Sequence, residues 1–291
     1  EDIIVKKRFT LFDYINHLIL LLLALAALLP FLNVLAKSLS SARAASSGKV
    51  FLLPKDIQFE TYRYILFESP FMRSFCISAI VTVTGTFLAM LITITTAYPL
   101  SRQGFKGRKL FILMYIFSMV FYGGIIPSYL LVKALGLLNT MPSMIIPFLV
   151  IQFNMLVVKS YFEQLPVSVE ESAKIDGIGN FRILFDIIIP MSKPVIATVS
   201  LFYAVAYWNN YFHPMLFIDN PSLKPLQLFL YETIKSPETI LEQFTSKKLE
   251  NISIEGITST TIICATIPIL LMYPLAQKYL ISGMTLGAVK G

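Results

Sequence analysis

The chain is short of charge. Of its 291 residues only 14% are Asp, Glu, Lys or Arg, against 56% hydrophobic, where soluble domains carry about 25% charged residues. The shortage is concentrated. Six runs of about 18 residues or more contain no charged residue: 18–36, 74–101, 110–132, 134–158, 194–218 and 256–277. That length crosses about 30 Å of hydrocarbon, so the core is expected to lie in lipid. Basic residues 6–8 precede the first run and Ala42-Arg43-Ala44 follows it. Its apolar core exceeds the 7–15 residues of a signal peptide, so it is read as a retained span.

Other absences exclude chemistry. There are two cysteines, Cys76 and Cys264, each inside an apolar run, and no C-x-x-C. They read as buried packing residues, not as metal or redox groups. The two histidines do not have metal-ligand spacing. No G-x-x-x-x-G-K-[ST] occurs, and GFKGRK has the wrong spacing for a P-loop; any ATP and magnesium chemistry therefore belongs to a partner, and no cofactor is expected here. Neither G-x-S-x-G nor H-E-x-x-H occurs, which removes the usual intramembrane hydrolases. The lack of ionisable groups in the runs argues against a proton-coupled carrier. An ATP-independent facilitator or secondary transporter is the alternative that remains. The net charge of +7 is carried mostly between apolar runs, where it serves topology and anionic headgroups, with no call for nucleic acid.

The short loop SRQGFKGRK holds Arg102, Lys106, Arg108 and Lys109, whereas the next loop has only Lys133. Positive charge marks the cytoplasmic side. Both termini, that loop and residues 163–190 are thus expected in the cytoplasm, and the loops around 37–73 and 219–255 outside. Gly123-Gly124, Pro127, Pro142 and Pro147 interrupt the third and fourth runs. Broken helices inside lipid mark either a pathway or kinked packing.

The most polar helical stretch is EESAKIDGIGNFRILFDIIIP, residues 170–190. Ser168 and Glu171 have capping-box spacing, and Glu170 and Lys174 form an i,i+4 pair. A helix is expected from near Ser168 to near Gly177, with Gly179 and Asn180 available for left-handed backbone. A second short helix then runs into Pro190. Ala173 and Gly177 share a face where another surface could come close, beside Glu171 and Asp176. The shape is a docking knob; a solvated helix face would carry the same charges.

Glu171-Ser172-Ala173, Gly177, nine residues and then Ile187-Ile188-Ile189-Pro190 resemble the E-A-A-x-x-x-G-x(9)-I-x-L-P signature of ABC importer permeases. Ser172 and Ile189 depart conservatively. YWNNYFHP (207–214), Pro225-Leu226-Gln227-Leu228 and the tail GMTLGAVKG (283–291) are similar to the smaller permease of maltose-type, binding-protein-dependent carbohydrate importers. The likeness covers roughly residues 10–291 and is closest to the branch for oligo- and polysaccharides, the alginate importer foremost.

The resemblance implies an all-α polytopic membrane protein with six spans and the type I importer permease fold, in a bacterial inner membrane. Residues 1–70 would hold the first span and outer loop. Residues 71–291 would form a five-helix core with coupling helices at 163–190 and an outer loop at 219–255 that touches the binding protein. The implied partners are a homologous permease, two ATP-binding subunits, an extracytoplasmic sugar-binding protein and lipid. Coupling to the ATPase would fall to Glu170, Glu171, Ser172, Ala173, Asp176, Gly177 and Gly179. Sugar binds to aromatic faces and amide groups, so Gln152, Asn154, Tyr203, Tyr207, Trp208, Asn209, Asn210 and Tyr211 are the pathway candidates. An interfacial aromatic belt is the plainer alternative for that cluster.

Overall fold

The computed structural model describes residues 10–236 and 252–270, all helical or irregular with no strand among them. The chain divides into two compact units. One draws on Glu1–Ser69 and Glu232–Thr266, the other on Pro70–Tyr231 and Ile267–Gly291.

The first unit begins with α1, Leu11–Ser38. A reciprocal capping box starts it: Asp13 N–H donates to the Thr10 hydroxyl, and the Asp13 carboxylate accepts from Thr10 N–H at 2.7 Å. Most apolar side chains of α1 are exposed as far as Leu35, as suits a helix solvated by lipid. Short helices α2, Ala42–Ser46, and α3, Glu60–Arg63, follow. Ser38 and Tyr62 pair through their hydroxyls at 2.7 Å. In the helix Ile254–Leu270, Thr260 donates to Ser38 O at 3.4 Å and Glu255 accepts from Ser46 at 2.9 Å.

The second unit is built on α4, Phe71–Ser101. Ile77, Val81, Gly85, Ala89, Thr93 and Ala97 recur every four residues and are all buried, so they form one ridge. Packed on α4 are α8, Gln152–Glu163, and α11, Lys193–Trp208. The α11 ridge is Val195, Val199, Tyr203 and Tyr207, also at i+4 spacing and buried. The ridges meet most closely at Gly85, where an added Cβ would stand 2.7 Å from Cζ of Tyr207.

Between α4 and α8 the chain forms α5, Arg108–Val120, α6, Ile125–Ala134, and α7, Pro142–Phe148. After α8 come α9, Val167–Ile175, and α10, Asn180–Met191, which contains a π-helical turn at Ile183–Ile188. Beyond α11 lie α12, Phe212–Phe217, and α13, Leu226–Lys235.

Among the described residues only α1 and α4 are long and apolar enough to cross a bilayer alone; up to five spans result if each bent helix pair is counted as one. The third apolar run is not one rod: α5 and α6 meet at 115°, across Gly124 at φ +95°. The fifth is not continuous either. α11 stops at Trp208, where Asn209 folds its amide back onto Val205 O at 3.0 Å. Asn210 then caps the next turn by accepting from His213 N–H at 3.3 Å. The sixth run appears as Ile254–Leu270, and 271–277 lie outside the described residues, as do 6–8 and the tail 283–291. Cys264 is buried as expected. Cys76 is exposed, because it sits on the face of α4 turned away from the ridge.

Gly85→Ala is expected to destabilise the protein by about 1–3 kcal/mol through overpacking against the Tyr207 ring. Gly123→Ala, where nothing lies within 4 Å of the added carbon, should be neutral. Thermal melting of the two variants in detergent measures the difference.

Candidate functional site

The polar stretch folds as helix, turn, helix. α9 starts two residues earlier than its capping-box pattern suggested: Pro166 is the N-cap and no side chain caps the helix. Pro166 has its φ preset and no N–H to satisfy. Ser168 therefore lies within the first turn, and Glu171 is left free of a capping role. The far end is a Schellman closure. Gly177 N–H donates to Lys174 O at 3.1 Å and Ile178 N–H to Ala173 O at 3.0 Å. Gly177 itself is left-handed at φ +76°. Gly179 is extended at φ −73° and Asn180 opens α10, so neither takes the left-handed role expected of them.

Glu170 anchors this segment and is 5% exposed. Its Oε1 accepts from Lys174 Nζ at 2.8 Å and from the Tyr98 hydroxyl at 3.2 Å. Its Oε2 pairs with Arg102 Nε at 2.6 Å. Arg102 also donates from Nη1 to Phe162 O at 3.1 Å, and its guanidinium lies 5.0 Å over the Tyr98 ring. A second cluster stands beside it: Arg108 and Lys159 both pair with Glu163, and Arg108 Nε donates to Leu100 O at 2.8 Å. Two of the four loop cations read as topology signals thus also tie the loop to α8 and α9. An unpaired buried carboxylate would be costly; here two cations and a hydroxyl compensate it. The hydrogen bond to Glu170 raises the Lys174 pKa above its ordinary value. A raised lysine pKa contributes stability that is complete at neutral pH and fades only as pH climbs through the raised value in strong alkali. Lys174 is about half exposed, so solvent screens the contribution.

The candidate coupling residues fall into two groups. Glu171, Ser172, Asp176, Gly177 and Gly179 are exposed. Glu170 and Ala173 are buried, Ala173 in this chain's own core. Ala173 therefore gives close approach to its own chain and none to an outside surface. The exposed group is joined by apolar side chains that polarity-based reading missed: Ile175 is 86% exposed and Phe181 78%. Both lie on the same exposed side as Glu171 and Asp176. A cavity of about 990 Å³ lies behind them, lined by Tyr98, Arg102, Glu170, Glu171, Asn180 and Phe181 among others.

The pathway candidates also separate. Tyr203 and Tyr207 are buried, with both hydroxyls bonded inside the protein. Asn154 is buried too. Gln152, Trp208 and Asn210 are half-buried; Asn209 and Tyr211 are exposed. The Trp208 ring meets Phe75 edge-on at 5.7 Å, and Tyr211 stacks on Tyr231 at 4.9 Å.

Comparison with known proteins places the whole chain. Residues 77–286 match the profile of the binding-protein-dependent transport system inner membrane component family. The chain belongs to this family. This permease is 40% identical to Protein LplC of Bacillus subtilis (strain 168) over 290 residues, 98% of this chain and 97% of that one. It is 38% identical over 282 residues to the polygalacturonan/rhamnogalacturonan transport system permease protein YtcP of the same organism, covering 97% and 99% of the two chains. Its fold matches a chain in the crystal structure of a bacterial ABC transporter involved in the import of the acidic polysaccharide alginate. The TM-score is 0.85 at 34% identity, over 92% of this chain and 96% of that one.

The permease therefore has an exposed helix-turn-helix segment whose base is fixed by a buried ionic cluster. Arg102 and Tyr98 were not foreseen as part of it, because they lie about 70 residues away in sequence. Ile175 was legible in principle: it is a large apolar residue next to the Asp-Gly end of an otherwise polar helix.

Glu170→Gln removes the charge and keeps the shape. It should cost about 1–3 kcal/mol, less than a fully buried pair because Arg102 and Lys174 reach solvent. Faster hydrogen exchange over 167–180 would report it. Glu171→Gln, on the exposed side, should leave that exchange within about 0.5 kcal/mol of wild type.

Proposed function

We propose that this permease is the smaller transmembrane subunit of an ATP-driven importer for oligo- or polysaccharide, acidic polysaccharide in particular. The observation that carries the reading is the segment at 167–181. It is rigid at its base through Glu170, and it offers Ile175, Phe181, Glu171 and Asp176 outward around a glycine turn. The substrate class is supported by the named relatives, whose substrates are polygalacturonan, rhamnogalacturonan and alginate.

In this reading the chain sits in the inner membrane with both termini cytoplasmic. It forms one pathway with a homologous permease, above two ATP-binding subunits that carry the ATP and magnesium. A ligand shifts an equilibrium only through contacts that differ between the two states. The differential contact here is the closing of the ATPase dimer around the knob. α9 and α10 then move with their groove, and α11, continuous with α10 through an 87° corner, swings with them. The pathway between the two permeases alternates between inward- and outward-facing. Gln152, Trp208, Asn209, Asn210 and Tyr211 line the sugar pathway. Asn154, Tyr203 and Tyr207 stand behind that surface as its support. An extracytoplasmic binding protein delivers the sugar against the loop at 219–255, of which 237–251 lie outside the described residues.

The test is reconstitution with the neighbouring permease, ATPase and binding protein in proteoliposomes. Glu171→Arg with Gly177→Trp should recruit less ATPase, or lose at least about tenfold of the sugar-dependent hydrolysis. Ile175→Asp with Phe181→Asp should do the same without straining the left-handed turn. Full assembly, hydrolysis and uptake in both variants would sink the coupling role.

A further inference from the structure

The fourth apolar run is interrupted between α7 and α8, which meet at 50°. Residues 149–151 are not helical, and Pro147 brings no N–H. A carbonyl or amide freed at such depth is costly unless another protein group pairs with it. Two groups flanking this break are paired by one helix. The Tyr207 hydroxyl donates to Ile145 O at 3.2 Å. The Tyr203 hydroxyl accepts from Ile151 N–H at 3.1 Å, and stands 2.8 Å from Thr93 Oγ1.

Tyr203 and Tyr207 are one turn apart on α11, so their side chains project along one face. One tyrosine holds each side of the break. Their rings have little freedom to leave. Tyr203 is completely buried, and the Tyr207 ring lies against Gly85 with no room for even a methyl group between them. α11 is also the helix that continues from the docking segment through α10.

We propose that Tyr203 and Tyr207 are positioning residues that tie the interrupted backbone of 145–151 to α11, so that displacement of the docking segment is delivered to the break. Neither tyrosine needs to touch sugar for this. The break moves when α11 moves, because a backbone group on each side of it, Ile145 O and Ile151 N–H, is held by that helix. The proposal deepens the transport reading above and rests on it for the moving part.

Phenylalanine at both positions keeps the rings and removes only the hydroxyls. The Tyr203→Phe, Tyr207→Phe double variant is compared with wild type in the full reconstituted transporter. Two quantities are read: hydrogen exchange at the Ile151 amide, and ATP hydrolysed per sugar imported. The expected result is roughly tenfold faster exchange at Ile151, with hydrolysis continuing while uptake falls by about fivefold or more, so the ratio rises. Thr93→Val, which removes a neighbour of Tyr203 but leaves both ties to the break, should not raise the ratio. Unchanged exchange at Ile151 would overturn the tie itself. Faster exchange with an unchanged ratio, or hydrolysis and uptake falling together in step with a lower melting temperature, would reduce the pair to ordinary structural support. If wild type shows no sugar-dependent hydrolysis, the transport reading fails separately and the link to motion falls with it, while the Ile151 exchange still decides whether the tie exists.

Discussion

Glu170 carries a negative charge into a nearly buried position, and the segment at 167–181 depends on how that charge is met. Arg102 meets it from the end of α4, Lys174 from the next turn of α9, and Tyr98 from within α4. The carboxylate has few good alternatives, because leaving it unpaired in that site is expensive. The result is directional. α9 is fixed by its inner face, and its outer face, with Glu171, Ile175 and Asp176, is exposed. For the proposed coupling role this is a suitable base, one that does not yield when the outer face is pulled.

The membrane-embedded part follows a different logic. Charge is absent there, and backbone groups set the terms. α4 gives a ridge of small and apolar residues at i+4 spacing, and α11 answers with a ridge that ends in two tyrosines. Close approach at Gly85 brings the helices together, and the hydroxyls then reach backbone atoms that helix breaks would otherwise leave bare. Packing and polar satisfaction are thus met by the same side chains.

The positions of the helix breaks were legible from Gly124 and Pro147, because those residues act through local geometry that any reader of sequence can apply. The helix, turn and helix at 167–191 were legible from their spacing and from Gly177, whose left-handed φ is again local. What could not be read was anything needing two distant pieces of chain. Glu170 looked like one half of a helix-surface pair with Lys174, and that pair exists, yet the partner that buries it is Arg102. Tyr203 and Tyr207 looked like sugar-facing aromatics because their chemistry suits sugar; their burial shows that it suits a broken backbone as well. The expected capping box at Ser168 failed for a local reason, since Pro166 two residues upstream had already started the helix. The breaks at 121–124 and 209–211 also show why counting charge-free runs overestimates straight spans: a run without charge need not be a run without turns.

α1 is the part of the fold that asks least of the rest. Its leucines face outward along most of its length, and its first turn is closed by its own Thr10 and Asp13. Its stability comes from the bilayer and from its own backbone. Such a helix can be released into lipid as soon as it leaves the ribosome and translocon, before the ridge of α4 or the tyrosines of α11 have been synthesised. Biogenesis can then begin with a finished piece, anchoring the growing chain while the slower task of matching distant ridges waits for its remaining parts.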